Sequence, residues 1–191
     1  MAVTFGTSMP TRGVLATPEH LRTLAQRAED LSFDHIWVSD HVILPRQVDS
    51  FSPYAADGVA TFLPDEPYFE PLAALNFLAG CTQRVRLGTH VLILPYRNPV
   101  LAAKLISTLD VLSGGRVICG FVRGIGQESM ATNTNPVYNR ERFDEAHNLI
   151  IKAWTTPGPF RWEGKHYQFR VVNPWVMPLQ KPHPPIWIPG V

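Results

Sequence analysis

Strand-like apolar stretches and helix-like amphipathic ones alternate along this chain. Residues 3–9, 35–39, 85–94, 116–122 and 185–189 read as strands, and the segments between them are long enough for crossover helices. That order predicts parallel strands joined by right-handed βαβ connections. Thr17 can cap a first helix that opens on Pro18, with Leu21, Leu24, Ala25, Ala28 and Leu31 on one face. A second helix is expected over 71–79. A third, over 99–112, carries Val100, Ala103, Leu105, Ile106, Leu109 and Leu112, and Gly114-Gly115 stops it. A fourth, over 140–154, is strongly periodic. Residues 160–169 read as a β-hairpin turning at Glu163-Gly164. Trp154, Trp162, Tyr167 and Trp175 read as packing residues.

The predicted architecture is a TIM (β/α)8-type barrel of which the chain supplies about the first five strands. Residues 1–191 are expected to form a single domain, with the 160–169 hairpin as an insertion. The edges of the first and fifth strands would be unpaired, so marginal stability or a homo-oligomer closed through that opening is expected. The stretch 45–67, rich in Pro, Asp, Ser and Gly with Phe51, Tyr54 and Phe62, reads as a functional loop after the second strand.

Composition narrows the partners. Hydrophobic content of 45% and charged content of 17% fit a globular chain, and a net charge of +1 offers no electrostatic case for nucleic acid or an anionic membrane. No apolar run approaches the roughly 20 residues of a membrane span. The N-terminus has no basic region before its first strand, so no signal peptide is visible. Cys81 and Cys119 lack CxxC spacing and read as free thiols in a reducing cytoplasm.

Residues just past the strands of such a barrel converge on one face, and here they are Asp40-His41, Thr89-His90 and Arg123-Gly124. His41 has the chemistry of a general acid or base, and equally that of a structural histidine beside an aspartate. Asp40-His41 lacks the spaced ligand set a metal needs. Arg123 is flanked by Gly124 and Gly126, which suits close approach to a phosphate or simply a turn with an exposed arginine. Gly124-Ile125-Gly126-Gln127-Glu128-Ser129 is not a dinucleotide fingerprint: it lacks a third glycine and a helix start. Thr89-His90-Val91 puts polar groups inside an apolar strand, where they must find partners or face a cavity.

These residues resemble the luciferase-like flavin monooxygenases. Phe33-Asp34-His35-Ile36-Trp37-Val38-Ser39-Asp40-His41 is similar to that family's second strand, and residues 86–95 followed by Asn98-Pro99-Val100 are similar to its third. Leu109-Asp110-Val111-Leu112-Ser113-Gly114-Gly115-Arg116 is the most specific signature. Gly120-Phe121-Val122-Arg123-Gly124 resembles the fourth strand's end, and Gln180 to Trp187 the run into the fifth. The two halves resemble different branches. Pro10-Thr11-Arg12-Gly13 and Asp65-Glu66-Pro67 are like the deazaflavin-using branch. From about residue 116 the chain is like the FMN-using branch, with Val122-Arg123-Gly124 where the deazaflavin branch often has a carboxylate.

The resemblance implies an enzyme that uses reduced FMN and O2 to oxygenate a small organic substrate, with a separate flavin reductase supplying the cofactor. The alternatives are a hydride-transfer enzyme using reduced deazaflavin (coenzyme F-420) and an inactive flavin-binding fragment. His41 would manage a proton near the ring. Thr89, His90 and Val91 would wall one ring face, with a non-proline cis peptide at His90-Val91. Val122, Arg123 and Gly124 would hold the phosphate.

Overall fold

The computed structural model describes residues 3–43, 66–124 and 126–189, so the loop expected over 45–67 lies outside the described residues apart from its last two positions. The strands are β1 (Gly6–Ser8), β2 (His35–Val38), β3 (Arg86–Thr89), β4 (Leu92–Ile93), β5 (Val117–Val122), β6 (Phe160–Glu163), β7 (Gln168–Val172) and β8 (Ile186–Trp187). The α-helices are α1 (Pro18–Asp30), α2 (Pro71–Cys81), α3 (Pro99–Leu112), α4 (Gly126–Ala131) and α5 (Asn139–Thr155). The main sheet runs β1-β2-β3-β5-β4 with β8 also on β5, and every pairing in it is parallel. Helices α1, α2, α3 and α5 cover one face of it, as βαβ crossovers dictate.

Local chemistry places the helix starts. Pro18, Pro71 and Pro99 each stand at a first turn, behind Thr17, Glu70 and Asn98, whose side chains accept backbone N–H groups. Gly114 (φ 70°) and Gly115 (φ 82°) take the left-handed conformations that end α3. Along β2 the side chains alternate. Ile36 and Val38 join the helix-side core, while His35 and Trp37 project to the opposite face.

Five expectations are corrected. Only Gly6–Ser8 of the first apolar stretch pairs as strand: the Phe5 N–H turns to the Asp34 carboxylate (2.8 Å) and its carbonyl is shared by the Asp34 and His35 N–H groups, so it stands off the ladder. The third stretch is two strands, β3 and β4, broken at a cis His90-Val91 peptide, the bond the family resemblance singles out. The hairpin reaches Val172, and its turn is Gly164–Tyr167, since Glu163 still pairs with Gln168. A helix does start at Gly126. Finally, Leu24, Leu31, Leu105, Leu112 and Trp175 are exposed. The small Ala25 and Ala28 carry the buried face of α1, and the polar Ser107 and Asp110 carry part of that of α3, because each has a hydrogen-bond partner inside.

The 109–116 signature turns out to be a staple. Asp110, fully buried, accepts the backbone N–H and the side-chain amide of Gln180, and the same amide donates to the Val117 carbonyl. Arg116 donates to the carbonyls of Ser113, Val85, Ala79 and Thr82 and to the Thr82 hydroxyl. It thus answers the carbonyls that the end of α2 leaves open, tying α2, α3 and β5 together.

Candidate active site at the strand ends

Because the sheet is parallel, the residues after β2, β3 and β5 emerge at one rim, and His41, His90 and Arg123 all lie there. Thr89 is buried and fully engaged with the neighbouring strand: its hydroxyl donates to the Gly120 carbonyl (2.8 Å) and accepts the Gly120 N–H (2.9 Å). Gly120 is required at this point, since a Cβ there would run into the Thr89 carbonyl oxygen. His90 donates its backbone N–H to the Val38 carbonyl (2.7 Å).

Beside this junction lies a cleft of about 450 Å³ lined by Ser8, Trp37, Thr89, His90, Val91, Gly120 and the segment 187–189. Its walls are mainly aromatic and backbone. The Trp37 and Trp187 rings are 5.1 Å apart, and His90 meets Trp37 edge-on at 6.4 Å. The Trp37 indole lies over Gly6 and Gly88, neither of which could carry a Cβ without displacing it. The structure therefore gathers Thr89, His90 and Val91 around one cavity. His41 and Arg123 do not line it.

His41 belongs to a second cluster on the same rim. Its Nδ1 pairs with the Glu128 carboxylate, and its ring meets Tyr68 edge-on at 5.2 Å. The Tyr68 hydroxyl lies 2.5 Å from Ser39 Oγ. Burial pushes the Tyr68 phenol above its ordinary range, against the pull of Ser39 and of the Arg12 guanidinium, so it stays protonated at neutral pH. Segments 10–13 and 66–69 meet here: Arg12 and Tyr68 form an antiparallel bridge, and Phe69 donates its N–H to the Thr11 carbonyl.

Asp40 is not the partner of His41. It is buried, accepts the Ile93 N–H (2.9 Å) and pairs with Arg97 (2.5 Å), which also reaches Glu70 (3.3 Å). Burial raises the Asp40 carboxyl above its ordinary range, although Arg97 and the Ile93 N–H pull it down. Ile93 in turn pairs in register with Val122. Asp40 thereby links the end of β2, which carries His41, to the end of β5, which carries Arg123. Arg123 is exposed and, among the described residues, makes no hydrogen bond or ion pair. Gly124 follows at φ 79°, packed against Ile93 and Tyr96.

Glu128, Tyr68 and Arg97 are site residues that no motif identifies. Glu128 stands 87 positions from His41, and only the parallel topology makes them neighbours. Among the described residues there is no cluster of three or more His, Cys, Asp or Glu that could hold a metal, and no helix is long and apolar enough to cross a membrane.

Comparison with known proteins agrees with this architecture. An F420-dependent glucose-6-phosphate dehydrogenase of Amycolatopsis mediterranei is 32% identical over 157 residues, covering 79% of this chain and 42% of that protein. An uncharacterised protein of Mycobacterium tuberculosis is 32% identical over 145 residues, covering 75% of this chain and 50% of its own length. The crystal structure of monooxygenase RslO1 from Streptomyces bottropensis superposes with a TM-score of 0.77 at 27% identity, covering 97% of this chain and 53% of that one. The chain thus spans about half the length of the relatives it matches. The sequence profile of the luciferase-like monooxygenases matches residues 1–191, and the chain belongs to that family.

Proposed function

We propose that the chain forms the cofactor-binding part of a flavin-dependent monooxygenase, holding reduced FMN at the carboxyl-terminal rim of its parallel strands. The observation that carries this reading is the end of β5. There the exposed Arg123 emerges beside a left-handed Gly124, a cation next to backbone that a phosphate can approach closely. The cleft beside Thr89, His90 and Val91 fits a flat heteroaromatic ring, since its walls are indole faces, backbone and glycine. When bound, the cofactor supplies the redox chemistry with O2.

The chain's own residues supply the rest. Thr89–Gly120 fixes the wall against one ring face. Trp37 and Trp187 exclude water from it, and His41 holds or moves a proton at the ring's edge. Val122, Arg123 and Gly124 anchor the phosphate. The substrate is a small organic molecule, and a separate reductase delivers the reduced flavin.

A second reading, hydride transfer with reduced F420, has its own support. The chain is 32% identical to an F420-dependent dehydrogenase, and its two deazaflavin-like segments meet where the Gly13 N–H donates to the Pro67 carbonyl, beside the Arg12–Tyr68 bridge next to His41.

Calorimetric titration with FMN, reduced FMN, riboflavin and reduced F420 tests both. We expect FMN to bind, and Arg123→Ala to weaken FMN about tenfold or more while leaving riboflavin unchanged. Equal loss for both flavins removes Arg123 from the phosphate role. Tighter binding of F420 than of FMN in both redox states replaces the first reading with the second, and binding of none of them overturns both.

A further inference from the structure

We infer that Glu128 is the positioning residue for His41: its carboxylate accepts the Nδ1–H of the imidazole and fixes the neutral ring as the tautomer whose lone pair is on Nε2. The inference rests on the proton-handling part proposed for His41 and adds the residue through which it is set.

Glu128 is 1% exposed. One carboxylate oxygen meets His41 Nδ1, and among the described residues the other has no hydrogen-bond partner. A carboxylate buried in this state is strongly unfavourable unless a donor compensates it, and the described donor is the imidazole. His41 cannot turn away without leaving that carboxylate unpaired. The other nearby carboxylate, Asp40, is already committed to Arg97 and to the Ile93 N–H, so it does not compete for the ring.

The ring is held in two directions. The Glu128 contact fixes it in its plane, and the edge contact with Tyr68 at 5.2 Å limits its tilt. The helix segment carrying Glu128 is itself anchored. Ser129 Oγ accepts from Asn139 Nδ2 (2.8 Å) and lies 3.0 Å from the Tyr96 hydroxyl.

The chemical consequence is directional. A base of this tautomer takes a proton on Nε2 and becomes an imidazolium whose Nδ1–H still points at a carboxylate. The Glu128 carboxylate faces that charge, the logic by which a buried carboxylate orients a catalytic histidine.

The test is 15N NMR of the histidine-labelled chain at a pH where the ring is neutral, with His41 assigned by its loss in His41→Gln. In the wild-type chain we expect Nδ1 to be protonated and Nε2 to show the shift of an unprotonated ring nitrogen. Glu128→Leu should lower the Nδ1–H fraction of His41 markedly, and Glu128→Gln, which keeps an acceptor oxygen, should retain most of the Nδ1–H form. A wild-type His41 protonated on Nε2 overturns the inference by itself, even if Glu128→Leu fails to fold. An unchanged tautomer in a folded Glu128→Leu overturns it as well. FMN and F420 titrations of the same samples separate this from the functional reading: failure of both cofactors to bind overturns that reading and leaves the tautomer result standing.

Discussion

Thr89 and Gly120 hold each other by a reciprocal pair of hydrogen bonds through one hydroxyl, 2.8 Å to the carbonyl and 2.9 Å from the N–H. Both residues are buried, so water cannot replace either bond. This lock sets where β3 stops running alongside β5, and with it the position of the wall formed by His90 and Val91.

Thr89→Val keeps the shape and removes the hydroxyl, leaving a buried N–H and a buried carbonyl unanswered. The expected cost is about 2–4 kcal/mol, or a fall in Tm of about 5–15 °C. Thr89→Ser should recover most of it. Thermal and urea unfolding of the three chains check this. A Thr89→Val chain within about 0.5 kcal/mol of wild type would show that the lock is not what holds the wall.

The 109–116 segment carries part of the family resemblance, yet the contacts of Arg116 are structural. Its guanidinium serves four carbonyls and a hydroxyl at once. A lysine has one ammonium with three donors and no planar fork. Arg116→Lys should therefore cost about 2–3 kcal/mol of stability. In the fraction that remains folded, FMN affinity should be unchanged. Unfolding curves and calorimetry on the same samples separate the two effects.

How much of this was legible beforehand depends on the range of the forces involved. The strand order follows from alternation along the chain, and the helix starts follow from Thr17-Pro18 and Asn98-Pro99, because those signals act within a few residues. The break at His90-Val91 is invisible to periodicity, which reads residues 85–94 as one strand, and it entered through family resemblance alone. Leu31 and Leu112 reach solvent because they stand at helix ends, beyond the faces that pack. Trp175 is 84% exposed in the proline-flanked segment after the hairpin, where no helical or strand period applies. At the site, position past a strand correctly put His41 and Arg123 on one rim. That His41 answers Glu128 and not the adjacent Asp40 depends on the three-dimensional path after β5, which no local rule encodes.

Glu29 gives an acid-side prediction. Burial opposes ionisation of its carboxyl, but the backbone N–H groups of Arg84, Val85 and Gln83 outweigh burial and hold it below the ordinary range. A carboxyl lowered in the fold contributes stability that is present above its unfolded pKa and is lost as pH falls through the folded value. The stability difference between wild type and Glu29→Gln should thus be full at neutral pH, about 1–2 kcal/mol, and should shrink as pH drops below the ordinary glutamate range. Urea unfolding from pH 7 downward reads it. Glu29 contacts the residues that open β3, at the rim away from the site, so cofactor affinity at neutral pH should not move.

The Asp40–Arg97 pair gives the opposite pH signature. Asp40 is buried and its folded pKa is raised, so the native state favours its protonated form. Its ionisation therefore withdraws stability as pH rises from the ordinary aspartate value through the raised one. Arg97 limits that loss in the wild type, and Arg97→Met removes the limit. Arg97→Met should cost about 3 kcal/mol at neutral pH, where a buried carboxylate is left with only the Ile93 N–H, and less in acid, where Asp40 can be neutral. In Asp40→Asn the charge is gone, so adding Arg97→Met should cost less than it does alone, with a coupling of about 1–3 kcal/mol in the double-mutant cycle. Because Asp40 bridges the ends of β2 and β5, FMN affinity should fall in Arg97→Met and recover in part in the double variant. Additive stabilities across the cycle, or a penalty that grows in acid, would mean that Arg97 is not what makes the buried Asp40 tolerable.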